Sequence, residues 1–304
     1  MSIVGSGIPT NRSNIQLPND VAAEIIQKTQ EGSIVMQLAR QISLPGRGLQ
    51  IPIIASDPEA SWVSETGLKP VSNPTIDKKI MQGHKLAVIV PFSDEFRRDA
   101  AALYDALIAR LPGVLAKKFD STVFFGPSSG SLSNFDNFTS VTGYALDTSQ
   151  KTAYDGLVAA DTAVSTQGGT INGYAFSPQG RGVLLSAQDA DKRPLFVASI
   201  SEGSVNRILG APVYFSAAAY KAGSAAAGSD AAVPDTLGFA GDWTHAMYGV
   251  VEGVKIDYSA DATLISGSDT INLFQQNMFA VRAEIEVGFV AETAYFAKLT
   301  RTHV

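Results

Sequence analysis

Apolar positions recur at two spacings along this chain, and the change from one to the other marks out its elements. From Asp94 onward they fall at Phe96, Ala100, Leu103, Tyr104, Leu107, Ile108, Leu111, Leu115 and Phe119, three and four apart on one face of a helix. Ser93 is the expected N-cap, and Asp94 and Glu95 place negative charge where free N–H groups and the helix dipole favour it. Extended to about Phe124, such a helix would be roughly 45 Å long, more than one small domain requires. Pro112-Gly113 interrupts its apolar face. Proline lacks the N–H that would reach the carbonyl of Ile108, so the helix must kink or split there, as a fixed bend or as a hinge.

Before this helix the spacing is two. Leu49 to Ile54 and Lys85 to Val90 read as the strands of one hairpin, separated by roughly 30 residues. That stretch carries Trp62, Val63, Ile76, Ile80 and Met81 among prolines and polar residues. A connection of such length is functional or projecting. If it projects, its Trp and Ile must bury against something else, and a second copy of the chain is the first candidate.

The remaining pattern is mixed. Met1 to Leu17 is polar and Gly-rich, without periodicity. Asn19 or Asp20 caps a helix carrying Val21, Ala22, Ile25 and Ile26, stopped by Gly32, and Ser33 caps a second with Ile34, Val35 and Leu38. From Lys151 helix and strand alternate: a helix through Tyr154, Leu157, Val158 and Val164 closed at Gly168-Gly169, a strand Tyr174 to Ser177, and a helix Gly180 to Ala187 before the charged turn Asp189 to Pro194. Ala217 to Pro234, rich in Ala, Gly and Ser, reads as a mobile loop. Strands follow at Ala246 to Val251 and Val254 to Tyr258. After the turn Ser266 to Asp269, Met278 to Val287 and Phe289 to Leu299 form a hairpin bending at Gly288, of the length to lie under the long helix.

Composition narrows the chemistry. The 304 residues are 45% hydrophobic, enough for one large core or two ordinary ones, and the formal charge is −6. An acidic chain without a basic run is poorly suited to grip duplex DNA, which demands phosphate neutralisation by Lys and Arg. No cysteine is present, so disulfides and thiolate metal sites are excluded. The start has neither the positive flank nor the apolar core of a signal peptide, and no apolar run approaches a membrane span. Gly126-Pro-Ser-Ser-Gly130 has the letters of a hydrolase nucleophile elbow, but it follows a helix and enters a polar loop where the motif needs a strand and then a helix. Of the three histidines, only His245 beside Asp242 could serve as its base. Asp189 and Asp191 beside Lys192 and Arg193 lack the oxygen count of a calcium loop, and no phosphate loop or dinucleotide fingerprint occurs. No catalytic residue, cofactor or metal is therefore expected.

Four segments in order carry a resemblance. Ala60 to Gly67, the strand into Val90-Pro-Phe-Ser93 with its acidic-start helix, Gly210-Ala-Pro-Val-Tyr-Phe-Ser216 with Gly241-Asp-Trp243, and Asn277 to Lys298 together resemble the major capsid proteins of tailed bacteriophages, the Hong Kong 97 fold. The resemblance covers almost the whole chain. It implies an α+β fold with an N-terminal arm (1–18), a peripheral domain begun over 19–47, an extended hairpin loop (48–90), a spine helix on a β-sheet (91–150), an inserted axial α/β domain (151–254) and closing peripheral strands (255–304).

The resemblance further implies a structural, non-enzymatic protein. Copies would join as hexamers and pentamers into an icosahedral shell that encloses double-stranded DNA without reading its sequence, and a mildly acidic inner face would keep the genome from sticking. It would be part of the virion, assembled in the host cytoplasm. Partners would be further copies, a separate scaffolding protein where one is needed, since Met1 stands close to the arm, and portal and decoration proteins. No membrane is involved. The expected subunit contacts are Trp62, Val63, Glu65 and Lys69 in the loop and Arg97 and Arg98 early in the helix; for the four charged residues a solvated face is the plain alternative. Pro112 and Gly113 are the expected kink or hinge, a hinge being what a shell that expands after assembly would require. No motif supports covalent cross-linking through Lys69, Lys78 or Lys79. An encapsulin-type compartment shares the fold, and a soluble serine hydrolase is the rival from another class.

Overall fold

A computed structural model gives the fold and describes residues 32–54, 58, 60–66, 68–69, 71–72, 76–99, 106–128, 130–146, 153–188, 195–196, 207–226, 231–266 and 269–303. The expected arm, the helix from Asn19, the middle of the long helix face (Ala100, Leu103, Tyr104) and the turn Asp189 to Pro194 lie outside the described residues. Ser33 starts α1 (Ile34–Leu38), its hydroxyl accepting from Met36 N as a cap should. β1 (Arg40–Ser43), β2 (Leu49–Ile54), β3 (Ile76–Met81) and β4 (His84–Ser93) follow, and α2 (Asp94–Asp99) leaves the end of β4. Next come α3 (Leu111–Phe125), β5 (Gly143–Ala145), α4 (Ala153–Thr166), β6 (Gly173–Phe176) and α5 (Pro178–Ser186). The chain continues through β7 (Arg207–Ile208), β8 (Ala211–Phe215), β9 (Asp235–Gly241) and β10 (Ala246–Ser259). It ends in β11 (Thr263–Ser266), β12 (Asp269–Asn272), β13 (Met278–Ala291) and β14 (Phe296–Arg301).

These strands make two sheets and two free ribbons. One sheet runs β1-β10-β13-β4, the other β5-β14-β9-β6-β8-β7, while β2–β3 and β11–β12 pair only within themselves. In the first sheet Leu86, Val88 and Val90 stand opposite Ile285, Ala283 and Val281 on the core face, and Lys85, Ala87 and Ile89 face outward. α3 packs across this core with Leu115, Phe119, Val123 and Phe124 buried. Its aromatic end joins the two sheets: Phe124 stacks on Phe239 of β9 at 4.8 Å, and Phe119 meets Phe289 of β13 edge-on at 6.4 Å. Phe138, Trp243 and Phe296 complete the cluster, each ring withdrawing a large apolar area from water. A second core under the other sheet is built from Leu157, Tyr174, Phe176, Leu184, Leu237 and Leu299.

Five expectations change. The partner of Leu49–Ile54 is Ile76–Met81, and Lys85 to Val90 belongs to the four-stranded sheet. Ile-Asp-Lys-Lys-Ile-Met has no clean alternation because a lone ribbon has no continuous core side to enforce one. Likewise, no hairpin bends at Gly288. β13 runs straight through it, and β14 crosses into the other sheet between β9 and β5, so the closing segment divides between the sheets. Gly288 faces Gly249, and a Cβ on either would strike Leu44 or Met81 within 3.0 Å. The glycines thus clear a seat for those side chains, which a strand pattern alone does not reveal.

The strands expected at Ala246 to Val251 and Val254 to Tyr258 are one strand with register shifts around Glu252. Ala217 to Pro234 is not simply a loop: Ser216 caps a 3₁₀ turn whose Ala218 and Ala219 are buried, and Lys221 and Ser224 bridge to Thr236 and Val233. Small side chains there permit close packing, which composition reads as mobility. Ser93 ends β4 with its buried hydroxyl lacking a partner among the described residues, so it is no cap.

The interruption at Pro112 is a split. Residues 109–110 form a turn closed by Arg110 N donating to Leu107 O at 3.1 Å, and α3 restarts at Leu111. Pro112 sits in the first turn of α3, where a missing N–H costs nothing.

Candidate subunit interface

At the far end of the β2–β3 ribbon apolar side chains stand in solvent. Trp62 is 104% exposed, Leu68 98% and Val71 86%, with Val63 at 40%. Glu65 and Lys69 are exposed beside them and make no ion pair among the described residues. A Trp, a Leu and a Val with none of the described residues over them form the kind of patch that a partner covers. Trp62 and Val63 are the contacts expected from the sequence; Leu68 and Val71 stand in solvent beside them.

The other end of the ribbon is fixed. Leu44, Met81 and Val290 make a small core there with Ile42, Leu49 and Ile51, resting on the Gly249–Gly288 pair. Lys79 Nζ donates to Asp136 Oδ2 at 2.8 Å and to Ala291 O at 2.6 Å, and Ala291 N donates to the same Asp136 oxygen at 3.0 Å. His84 Nε2 donates to Ser133 O at 2.8 Å, and Asn134 Nδ2 to Gln82 Oε1 at 3.3 Å. The ribbon therefore leaves the body in a set direction, which lowers the ordering cost of any contact at its tip. Lys79 is part of this clamp.

The two expected interface groups are not neighbours in one chain. Arg97 and Arg98 lie on α2, beyond the opposite end of β4 from the ribbon root, about 33 Å along a ten-residue strand. Arg98 is exposed, and the side chain of Arg97 lies outside the described residues. Pro112 is buried, Gly113 is exposed, and a Cβ added to Gly113 would meet nothing within 4 Å.

Two buried carboxylates escape sequence reasoning. Asp120, on the buried face of α3, accepts from Ser33 Oγ at 2.5 Å and from the N–H groups of Ile34 at 2.9 Å and Val35 at 3.4 Å. Burial pushes its carboxyl up to about 6 although all three donors pull it down. Its clue was an Asp on an otherwise apolar helix face, opposite a cap 87 positions away. Asp235 is likewise raised by burial, but Gly223 N–H, His303 and Arg301 outweigh that and hold it at about 2, tying the last strand to β9. A second ribbon, β11–β12, leaves Ile265 and, just after it, Phe274 exposed.

Among the described residues, those of the hydrolase letters are engaged in local contacts. Ser128 Oγ accepts from Lys118 Nζ at 2.8 Å. Asp242 Oδ1 accepts from Thr244 N and Asn172 Nδ2 while Oδ2 accepts from Thr170 N, and the His245 ring stacks on Tyr295 beside Glu292. Asp-x-x-His here builds a turn.

The model of the Phage capsid family matches residues 14–300. The chain belongs to the phage capsid family. Among its relatives is the "Probable major capsid protein gp17" of Mycobacterium phage D29, 26% identical over 289 residues, covering 90% of this chain and 86% of the relative. Among solved structures, one from Microbacterium phage Oxtober96 has a TM-score of 0.73 at 20% identity, with 98% of this chain and 96% of that one covered. Another, "Capsid of empty GTA particle computed with C5 symmetry", has a TM-score of 0.63 at 16% identity, covering 99% and 95%. This phage capsid family chain has the α+β, Hong Kong 97-like fold of those neighbours.

Proposed function

We propose that the chain is the major capsid protein of a tailed bacteriophage, whose copies close into the icosahedral head shell around double-stranded DNA. The observation that carries this is the bare apolar tip on a clamped ribbon, in a chain of a capsid family with a relative named as a major capsid protein. The work of such a protein is binding energy rather than catalysis. Hexamers and pentamers, assembly in the host cytoplasm, and scaffolding, portal and decoration partners belong to the same proposal. So do the division into arm, loop, peripheral and axial domains, supported by the two sheets, and the contact roles of Trp62, Val63, Glu65, Lys69, Arg97 and Arg98. Negative-stain microscopy of the purified protein tests the core of it. Uniform closed particles or six-fold rings are expected, and a stable monomer across assembly conditions would refute the reading.

The split ahead of Pro112 is read as a hinge within this function, supported by a turn between two helical segments rather than a smooth bend. Pro112→Ala should leave monomer stability within about 1 kcal/mol, since first-turn proline spares no hydrogen bond, yet shift the proportion of compact to expanded particles. Particle diameters before and after an expansion trigger read this, and an unchanged compact-to-expanded ratio in Pro112→Ala would leave only a fixed bend.

A further inference from the structure

A cavity of about 510 Å³ opens where α1 and β1 meet the six-stranded sheet. Leu38, Pro212, Tyr214 and Trp243 supply its apolar wall, with Arg40 and Thr244 among its remaining lining residues. Asn172, also in the lining, is already engaged with Trp243 N and Asp242. Arg40 is different. It is exposed, and the one polar partner of its guanidinium among the described residues is the thioether of Met247 at 3.1 Å, a weak acceptor. The chain thus carries a mostly apolar hollow beside a cation that meets no carboxylate among the described residues, a combination suited to an aromatic anchor followed by an acid.

The same chain carries that pair elsewhere. Trp62 stands bare at the ribbon tip, and Glu65 follows three residues later on the same exposed turn, also without an ion pair among the described residues. We propose that Trp62 of one copy seats in this cavity of a second copy, with Glu65 meeting Arg40 at its edge. The match is in size, polarity and sign. An indole fills part of the hollow and leaves space for Leu68 or Val71, and the Glu65–Arg40 pair gains strength as the indole excludes water. Among the described residues the arrangement is not made within one chain, where Trp62 is fully exposed. The proposal rests on the reading that the ribbon tip is a contact between copies, and it adds where that tip lands.

The chain makes both levels measurable. Trp62 and Trp243 are its two tryptophans, and Trp243 is 1% exposed, so iodide quenching of the unassembled protein reports Trp62. Assembly should protect that fluorescence. If Trp62 stays quenchable in particles, the contact reading itself fails. Where it lands is tested separately by mixing chains carrying Val63→Cys with chains carrying Thr244→Cys, in a protein with no other cysteine. A short bis-maleimide should then give covalent dimers from assembled particles only. In parallel, Glu65→Arg and Arg40→Glu should each lower particle yield about tenfold or more, and the double reversal should restore it. Protected Trp62 with neither cross-link nor charge rescue would overturn the proposed seat while leaving the tip as a contact.

Discussion

Chains in which residues 55–75 are replaced by a short Gly-Ser turn fold as well as the parent and form no particles. The expectation follows from how cleanly the tip is separated from what holds the fold. β2 and β3 keep their six-residue ladder, Lys79 keeps Asp136 and Ala291, and the Leu44–Met81–Val290 core is untouched. What goes is Trp62, Leu68 and Val71, which contribute little to the free chain because they are already in water, together with the partly covered Val63. Buried against a partner, side chains of this size are each worth about 1.5–3 kcal/mol. Losing them at every contact of a shell removes more than the marginal energy by which such contacts form. Sedimentation velocity on equal concentrations reads the result directly, with thermal melting as the control for folding. Particles at parental yield would mean that the tip is not an interface.

The second large effect is in acid. Asp120 titrates at about 6 in the folded chain, against about 3.9 for an unfolded Asp. A carboxyl raised on folding stabilises fully below its unfolded value, and that contribution is lost as pH rises through its folded value, about 3 kcal/mol in all. Between pH 7 and 5 the unassembled protein should therefore become more stable by about 1.3 kcal/mol, nearly half of that total, or roughly 2 °C in melting temperature for a chain of this size. Asp235, lowered to about 2, works the other way, but its contribution is lost only as pH falls below 4 toward 2. Asp120→Asn keeps the shape and removes the charge, so its melting temperature should be flat from pH 7 to 5. It should also lie below the parent at pH 5, because its NH₂ meets the Ser33, Ile34 or Val35 donors. A parent that melts at the same temperature at both pH values would show that Asp120 is not held up by burial.

Much of the fold lay open in the sequence, for local reasons. Ser33 as a cap, the amphipathic faces of α3 and α4, the Pro112 break and the outward Trp62 each follow from a few neighbouring residues obeying one periodicity or one backbone constraint. The family resemblance was legible for the same reason, as short segments in order. Pairing was not legible. Alternation says that β3, β4, β13 and β14 are extended or leaves them ambiguous, and it is silent on which strand lies beside which. Met278 to Leu299 could be a hairpin or two strands of different sheets until the core chooses, and here Phe239, Phe289 and Phe296 around α3 make the choice. The assembly surface divides in the same way. Sequence alone determined that a projecting stretch carries apolar residues with no home of their own. Only the tertiary structure decided that Lys79 clamps its root and that Arg40 stands beside an open hollow, because both depend on groups scores of residues apart being brought within a few ångströms by two sheets and one helix.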